Sequence, residues 1–338
     1  MNDKKIKVLV VDDSILFRKI LSNGLMADNA IEVVATAQDP FDARDKILKY
    51  NPDVITCDVE MPKMNGIEFV RRLLPQYPVP VIVVSGVSNA VFDALSAGAV
   101  DFVAKPDKSS PKSVEAVIND LIGKIKIASK ARVGHIVSSR EGKPGISKIN
   151  SDGRIIGIGA STGGTEAIFQ VLKQLPETIP GIVIVQHIPP VFSAMFAERM
   201  NVQTPLHVSE AKDGDFVEQG HVFIAPGDKH MRVRRVGGKY RIELSTGEKV
   251  NGHCPSVDVL FESMATSCGK NAVGVILTGM GRDGASGLLN MRKQGATTIG
   301  QDEKSSIVYG MPKIAWEIGA VQKQFALEDV SDAIVASL

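Results

Sequence analysis

Cysteine is scarce in these 338 residues: Cys57, Cys254 and Cys268 are scattered and odd in number. That excludes a disulfide framework and any zinc-ligand spacing, and it fits a reducing compartment. Charge imbalance is missing too. Lys and Arg number 39 against 38 Asp and Glu, a formal net charge of +1. No whole-protein field therefore favours nucleic acid or an anionic membrane, and no compact helix-turn-helix pattern is present. Long apolar runs are absent. The N-terminal "MNDKKIKVLVVDDS" has a short apolar run that is cut by two aspartates, and it reads as neither a signal peptide nor a membrane span. A cytoplasmic protein that binds no nucleic acid and does not insert into a membrane is expected.

What remains is an ordinary soluble composition, 44% hydrophobic and 23% charged, long enough for two domains with separate cores. Residues 7–122 alternate β-branched runs ("KVLVVDD", "IEVVATA", "DVITCDV", "VPVIVVSG", "VDFVAKP") with segments of helical spacing. Five strands with intervening helices predict a flavodoxin-like (βα)5 unit, a doubly wound parallel sheet with right-handed crossovers. From Gly123 to Gly153 a helix tail gives way to a Gly/Ser/Lys-rich stretch, which reads as a solvated linker. A second α/β pattern follows, with strands "RIIGIGAS", "GIVIVQHI", "NAVGVILTGM" and "GATTIGQ". Between Pro205 and Leu244, short strands around a Gly-Gly pair suggest an antiparallel hairpin insert in this doubly wound α/β/α unit. The expected domains are residues 1–124, a linker at 125–150, and residues 151–338.

Functional groups of a parallel sheet collect at the carboxyl ends of its strands. In the first domain those ends carry Asp12 and Asp13, Asp58, Ser85, and Lys105 before Pro106. Carboxylates gathered at one edge repel unless a cation neutralises them, and an all-oxygen set suits Mg²⁺. Asp58 then becomes a candidate nucleophile toward a phosphoryl group, with Lys105 screening the anion. Single strand-end aspartates usually cap helices, but capping does not explain five polar groups at these ends together with a Lys-Pro step. "VLVVDDS", "CDVEMPKMNG", "VVSG" and "DFVAKP" resemble the receiver domain of two-component response regulators, over residues 6 to 124. The resemblance implies that Asp58 is phosphorylated and that Asp12, Asp13 and the Glu60 carbonyl help it hold Mg²⁺. It also implies that Ser85 and Lys105 sense the phosphoryl group and that Phe102 is the switch aromatic.

In the second domain "RIIGIGASTGGTEAI" leads a strand through a glycine-rich turn into a helix. Dinucleotide binding fits poorly: Thr162 stands where the third glycine belongs, and no acidic residue follows in "LPETIPGIVIV". A small-residue turn that merely lets helix and strand pack closely is a second reading. The third takes Gly159-Ala-Ser161-Thr-Gly163 as G-x-S-x-G, which presents a serine at a strand end. Such a serine needs a base, and the base an orienter. His187 ends "GIVIVQHIPP" at the same sheet edge, and Asp283 follows another strand. The bland readings are a satisfied strand-end histidine and an N-cap aspartate. His135 lies in the linker and His207 and His221 in or beside short strands, while His230 and His253, in loops, stay open as bases. Helix N-termini after Ser161 and Met280 leave N–H groups for an oxyanion.

"GASTGG", "QHIP", "APGDKHM", "PSVD", "LTGMGRDGA", "QDEKSS" and "YGMP" resemble the chemotaxis-specific protein-glutamate methylesterases, which also share the order receiver, linker, esterase. The resemblance implies Ser161 as nucleophile, His187 as base, Asp283 as its orienter and the Met280 N–H as oxyanion donor. It further implies a cytoplasmic enzyme of bacterial chemotaxis, with no cofactor for the esterase step. It would hydrolyse glutamate methyl esters on chemoreceptors and deamidate specific glutamines. A chemotaxis histidine kinase would supply the phosphoryl group that switches it on. Two other classes stay open: a non-enzymatic response regulator whose second domain only binds a partner, and a nicotinamide-dependent oxidoreductase.

Overall fold

Runs of Val and Ile bounded by Gly, Asp and Pro form the strands, because β-branched side chains suit a pleated surface buried on both faces. The computed structural model describes residues 4–86, 89–105, 111–133 and 153–338, without the side chains of 111–113. Two compact units emerge, Met1–Ile136 and Val137–Leu338. Most of the expected linker, with His135, lies outside the described residues, as does Pro106.

The first unit is a five-stranded parallel sheet of β1 (Ile6–Val11), β2 (Ile31–Ala37), β3 (Val54–Asp58), β4 (Val81–Ser85) and β5 (Asp101–Ala104), in the order β2-β1-β3-β4-β5. Its helices are α1 (Ile15–Met26), α2 (Pro40–Tyr50), α3 (Gly66–Leu73), α4 (Ala90–Ser96) and α5 (Pro111–Ala128). Ser14 and Asp39 start α1 and α2 by accepting N–H bonds of the first turns. The expected (βα)5 unit is what forms.

The second unit is a seven-stranded sheet in the order β14-β13-β12-β6-β7-β9-β8, with every pairing parallel. The strands are β6 (Ile155–Ala160), β7 (Ile182–Gln186), β8 (His207–Glu210), β9 (His221–Ile224), β12 (Ala272–Ile276), β13 (Thr297–Gln301) and β14 (Lys323–Phe325). Helices α6 (Gly164–Leu172), α7 (Phe192–Gln203), α8 (Val257–Cys268), α9 (Ala285–Lys293), α10 (Met311–Glu317) and α11 (Val330–Ala336) accompany it. The hairpin is narrower than its sequence texture suggested. Only β10 (His230–Val236) and β11 (Lys239–Ser245) pair antiparallel, around Gly237-Gly238. The runs "HVSE" and "HVFI" instead extend the main sheet in parallel, because α7 returns the chain and their short apolar runs find a free edge beside β7.

Strand β6 is the topological switch. The chain builds outward from it through β7 on one side and β12 on the other, so a crevice opens at its carboxyl end. Close approach there demands glycine: a Cβ on Gly159 would run into the Val257 side chain at the start of α8. Replacing Gly159 by Ala should destabilise the second unit by about 1–3 kcal/mol, read as a lower urea midpoint for loss of its α/β signal.

Candidate functional site

Register brings the candidate nucleophile and base together. Ala160 pairs with Gln186 at the ends of β6 and β7, so the next residues, Ser161 and His187, stand side by side. The backbone bond from His187 N–H to the Ala160 carbonyl, 3.2 Å, continues that ladder. Gln186 Nε2 donates to the Ser161 carbonyl at 2.9 Å and steadies the turn. On the other flank, Gly279 approaches so closely that a Cβ there would meet the Ser161 Cβ at 2.7 Å. The turn into α6 is closed by Gly163 at φ +76°, conformational space that glycine occupies without strain.

His187 Nε2 lies 2.8 Å from Asp283 Oδ2. An ionised carboxylate only accepts, so Nε2 carries the hydrogen and donates. Nδ1 is buried with no hydrogen-bond partner among the described residues. It is the nitrogen left for Ser161, although it forms no hydrogen bond with the Ser161 hydroxyl in the structure. Asp283 is 1% exposed and does not cap its own helix; Gly284 occupies the N-cap of α9. Its carboxylate sits instead at the N-terminus of α8. It accepts from Val257 N (2.7 Å), Asp258 N (3.2 Å), Ser256 Oγ (2.7 Å) and Asn251 Nδ2 (3.0 Å) besides His187. Burial works against the charge, but His187, Asn251 and Ser256 outweigh it and hold the carboxyl well below the ordinary range.

The arrangement is reciprocal. Asp258, on α8, accepts from Gly287 N at 2.7 Å on the first turn of α9, so each helix start is capped by an aspartate from the other segment. Burial raises the Asp258 carboxyl, and the Asp283 charge adds to that. The Met280 N–H takes no hydrogen bond among the described residues, leaving a donor beside the Ser161 turn.

The other histidines separate cleanly. His207 and His221 are the first residues of β8 and β9, at the sheet edge away from Ser161. His230 is buried; its Nδ1 accepts from Ser256 N at 3.3 Å and its Nε2 donates to the Glu248 carbonyl at 2.9 Å, so it supports Ser256 rather than serving as base. His253, left open by sequence, lies flat on His187, with ring centroids 3.6 Å apart and planes 8° from parallel. Sequence reasoning missed this contact along with Asn251, Ser256 and Asp258. The Asn-Gly pair at 251–252, a tight-turn signal, was the available clue.

In the first unit the carboxylate oxygens of Asp12, Asp13 and Asp58 lie within 4.8 Å of one another. Lys105 Nζ bonds to Asp58 Oδ2 at 2.6 Å and stands 3.0 Å from Asp12 Oδ2, an ion pair without an aligned hydrogen bond. Burial pushes the Asp58 carboxyl upward against the pull of Lys105. One lysine against three carboxylates leaves a deficit of positive charge, and the all-oxygen donors, with Asp12 Oδ2 held only by an ion pair, suit a hard divalent cation such as Mg²⁺. Ser85 is buried, and its hydroxyl has no hydrogen-bond partner among the described residues. Phe102 is buried edge-on to Phe92, centroids 6.3 Å apart. Glu60 is exposed, its N–H donating to Asp58 Oδ1 at 3.2 Å.

Comparison with known proteins decides the family. Residues 156–334 match the CheB methylesterase family, and residues 8–116 match the response regulator receiver domain. The chain belongs to the CheB methylesterase family. A Syntrophomonas wolfei relative named protein-glutamate methylesterase/protein-glutamine glutaminase 2 is 56% identical over 99% of this chain and 98% of its own length. A Salmonella typhimurium relative, protein-glutamate methylesterase/protein-glutamine glutaminase, is 46% identical over 99% of this chain and 97% of its own. The solved Thermotoga maritima CheB methylesterase catalytic domain is 35% identical, with TM-score 0.54, covering 55% of this chain and 98% of that one. A receiver domain joined to a methylesterase is thus what the motifs implied. No helix among the described residues is long and apolar enough to cross a membrane.

Burial and the neighbouring His187 depress His253 from 6.5 to about 4, with Asp283 pulling the other way and Lys249 adding to the depression. The unfolded chain therefore takes up a proton below 6.5 that the folded protein refuses until about 4. Stability contributed at higher pH is lost as pH falls through that window. His253→Phe should accordingly lose less of its melting temperature than the parent between pH 6.5 and 4, as read by calorimetry.

Proposed function

We propose that this chain is a phosphorylation-activated enzyme that hydrolyses glutamate methyl esters on chemoreceptors and deamidates specific receptor glutamines. It would act in the cytoplasm, with a chemotaxis histidine kinase as phosphodonor. The observation that carries the esterase assignment is the Asp283–His187 bond of 2.8 Å, which leaves Nδ1 unpartnered among the described residues on a histidine that follows β7 as Ser161 follows the neighbouring β6. The names of the relatives from Syntrophomonas wolfei and Salmonella typhimurium support the substrate class.

His187 Nδ1 accepts the Ser161 proton as Oγ attacks the ester carbonyl. Asp283 stabilises the imidazolium that forms and holds the ring in the tautomer with hydrogen on Nε2. The Met280 N–H receives the developing oxyanion. His187 returns its proton to the departing methoxide, and methanol leaves. Water, deprotonated by the same nitrogen, then opens the acyl-enzyme to a glutamate carboxylate. With a glutamine substrate, ammonia leaves instead of methanol and the product is the same.

In the receiver, Asp58 is the phosphoryl acceptor. Asp12, Asp13, Asp58 and the Glu60 carbonyl would hold Mg²⁺, which when bound neutralises charge between the incoming phosphoryl group and the carboxylates. Lys105, paired with Asp58, and the buried Ser85 hydroxyl would meet the new oxygens, and Phe102 takes the switch role. Phosphorylation adds close to two negative charges, and the repacking around them is the event coupled to esterase activity.

Methanol release from methylated receptor membranes tests the esterase. Ser161→Ala and His187→Ala should each lower turnover by roughly 10⁴-fold or more, with Asp283→Asn milder. A folded Ser161→Ala protein with near-parental release contradicts the assignment. For the receiver, Asp58→Asn should take up no phosphoryl group from a small phosphodonor and should keep the full-length enzyme at its unstimulated rate. Base-labile incorporation retained in Asp58→Asn would move the acceptor elsewhere.

A further inference from the structure

Residues Val250 to His253 form a two-residue hairpin turn. Val250 N–H donates to the His253 carbonyl and His253 N–H to the Val250 carbonyl, both at 3.0 Å. The two central residues have positive φ, +52° at Asn251 and +84° at Gly252, the geometry for which Asn-Gly is the favoured pair. Two residues of this turn, the central Asn251 and the terminal His253, reach different members of the relay. Asn251 Nδ2 donates to both Asp283 Oδ1 (3.0 Å) and Asp258 Oδ2 (2.7 Å), bridging two buried carboxylates that would otherwise repel. Two residues on, the His253 ring covers one face of the His187 ring at 3.6 Å.

We propose that this turn is a positioning clamp for the catalytic pair: Asn251 fixes the Asp283 carboxylate, and His253 serves as a flat platform that holds the His187 ring with Nδ1 toward Ser161. The inference rests on the Ser161–His187–Asp283 assignment and adds two residues that act through it. A histidine ring joined to Asp283 by one hydrogen bond keeps freedom to pivot about that bond. A stacked ring removes the pivot, because tilting the imidazole would drive it into its neighbour. The platform also has to be uncharged, since a cation stacked on His187 would oppose the imidazolium formed when it takes the serine proton. Burial and the neighbouring His187 favour the neutral form of His253. The clamp therefore acts through ring shape and neutrality, not through a ring nitrogen.

The test uses the full-length chain with two readouts: methanol release from methylated receptor membranes, and the rate at which a fluorophosphonate labels Ser161. The second does not depend on receptor docking. The variants are His253→Ala, His253→Phe, Asn251→Gly, which keeps the turn and removes the amide, and Asn251→Asp, which sets a third carboxylate against two. Misplacing a catalytic group by about 1 Å costs on the order of 10²-fold. His253→Ala and Asn251→Gly should therefore lower kcat and the labelling rate by roughly 10- to 100-fold while KM stays within about twofold. His253→Phe should recover most of the loss, and Asn251→Asp should fall below Asn251→Gly. Each variant is first shown by circular dichroism and melting temperature to be folded; one that is not is replaced by His253→Tyr or Asn251→Ser. Parental kcat and labelling in both His253→Ala and Asn251→Gly overturn the clamp. A folded His253→Phe as slow as His253→Ala overturns the platform, since the imidazole nitrogens would then be what matters. Absence of labelling in the parent protein itself overturns the serine assignment and the clamp with it, so the two failures are told apart.

Discussion

One buried negative charge organises the catalytic unit. The Asp283 carboxylate is 1% exposed, and an isolated ionised carboxylate in such surroundings would be protonated or expelled. It is retained because the N-terminus of α8 offers it two backbone N–H groups, Ser256 a hydroxyl, Asn251 an amide and His187 an imidazole N–H. Asp258 returns the favour to α9 through Gly287. The packing of α8 on α9 and the orientation of His187 therefore share the same hydrogen bonds. Breaking one partner of such a network costs about 3–5 kcal/mol, so the relay cannot loosen without loosening the helices that support it.

The receiver handles charge in the opposite way. Asp12 and Asp58 are as buried as Asp283, yet Lys105 is the cation paired with both, and the Ser85 hydroxyl has no hydrogen bond among the described residues. Saturation in the second unit fixes the Asp283 carboxylate and the His187 ring bonded to it. In the first, one lysine stands against three carboxylates, and the neutralisation is incomplete. Both sites use the same architectural feature, the carboxyl edge of a doubly wound sheet beside its switch strand. They differ in how far the chain itself satisfies what it buries.

Residues that end an apolar strand or stand one step past it were legible from sequence. Ser161, His187, Asp58 and Asp12 each follow a Val/Ile run whose direction fixes the edge they occupy. Met280 and Asp283 lie within a few residues of β12, still close enough to be assigned to that edge. Asn251 and His253 were not legible, because they belong to no strand or helix and reach the relay from a turn. Their distance from Ser161 along the chain carries no periodic signal. Ser256 and Asp258 were hidden for another reason: "PSVD" reads as an ordinary helix start, and nothing local says that its N–H groups serve an aspartate beyond the next strand. The edge strands β8 and β9 show the limit of texture, since four-residue runs carry too little pattern to tell a parallel edge strand from half of a hairpin.

The central claim is that Asp283 fixes His187 with its hydrogen on Nε2 and its basic lone pair on Nδ1. NMR of the full-length protein carrying isotope-labelled histidine, at neutral pH, reads that tautomer directly. The result required is a protonated Nε2 with a strongly downfield proton and a bare Nδ1, both signatures lost in Asp283→Asn. A hydrogen on Nδ1, or a His187 spectrum that Asp283→Asn leaves unchanged, would contradict the account.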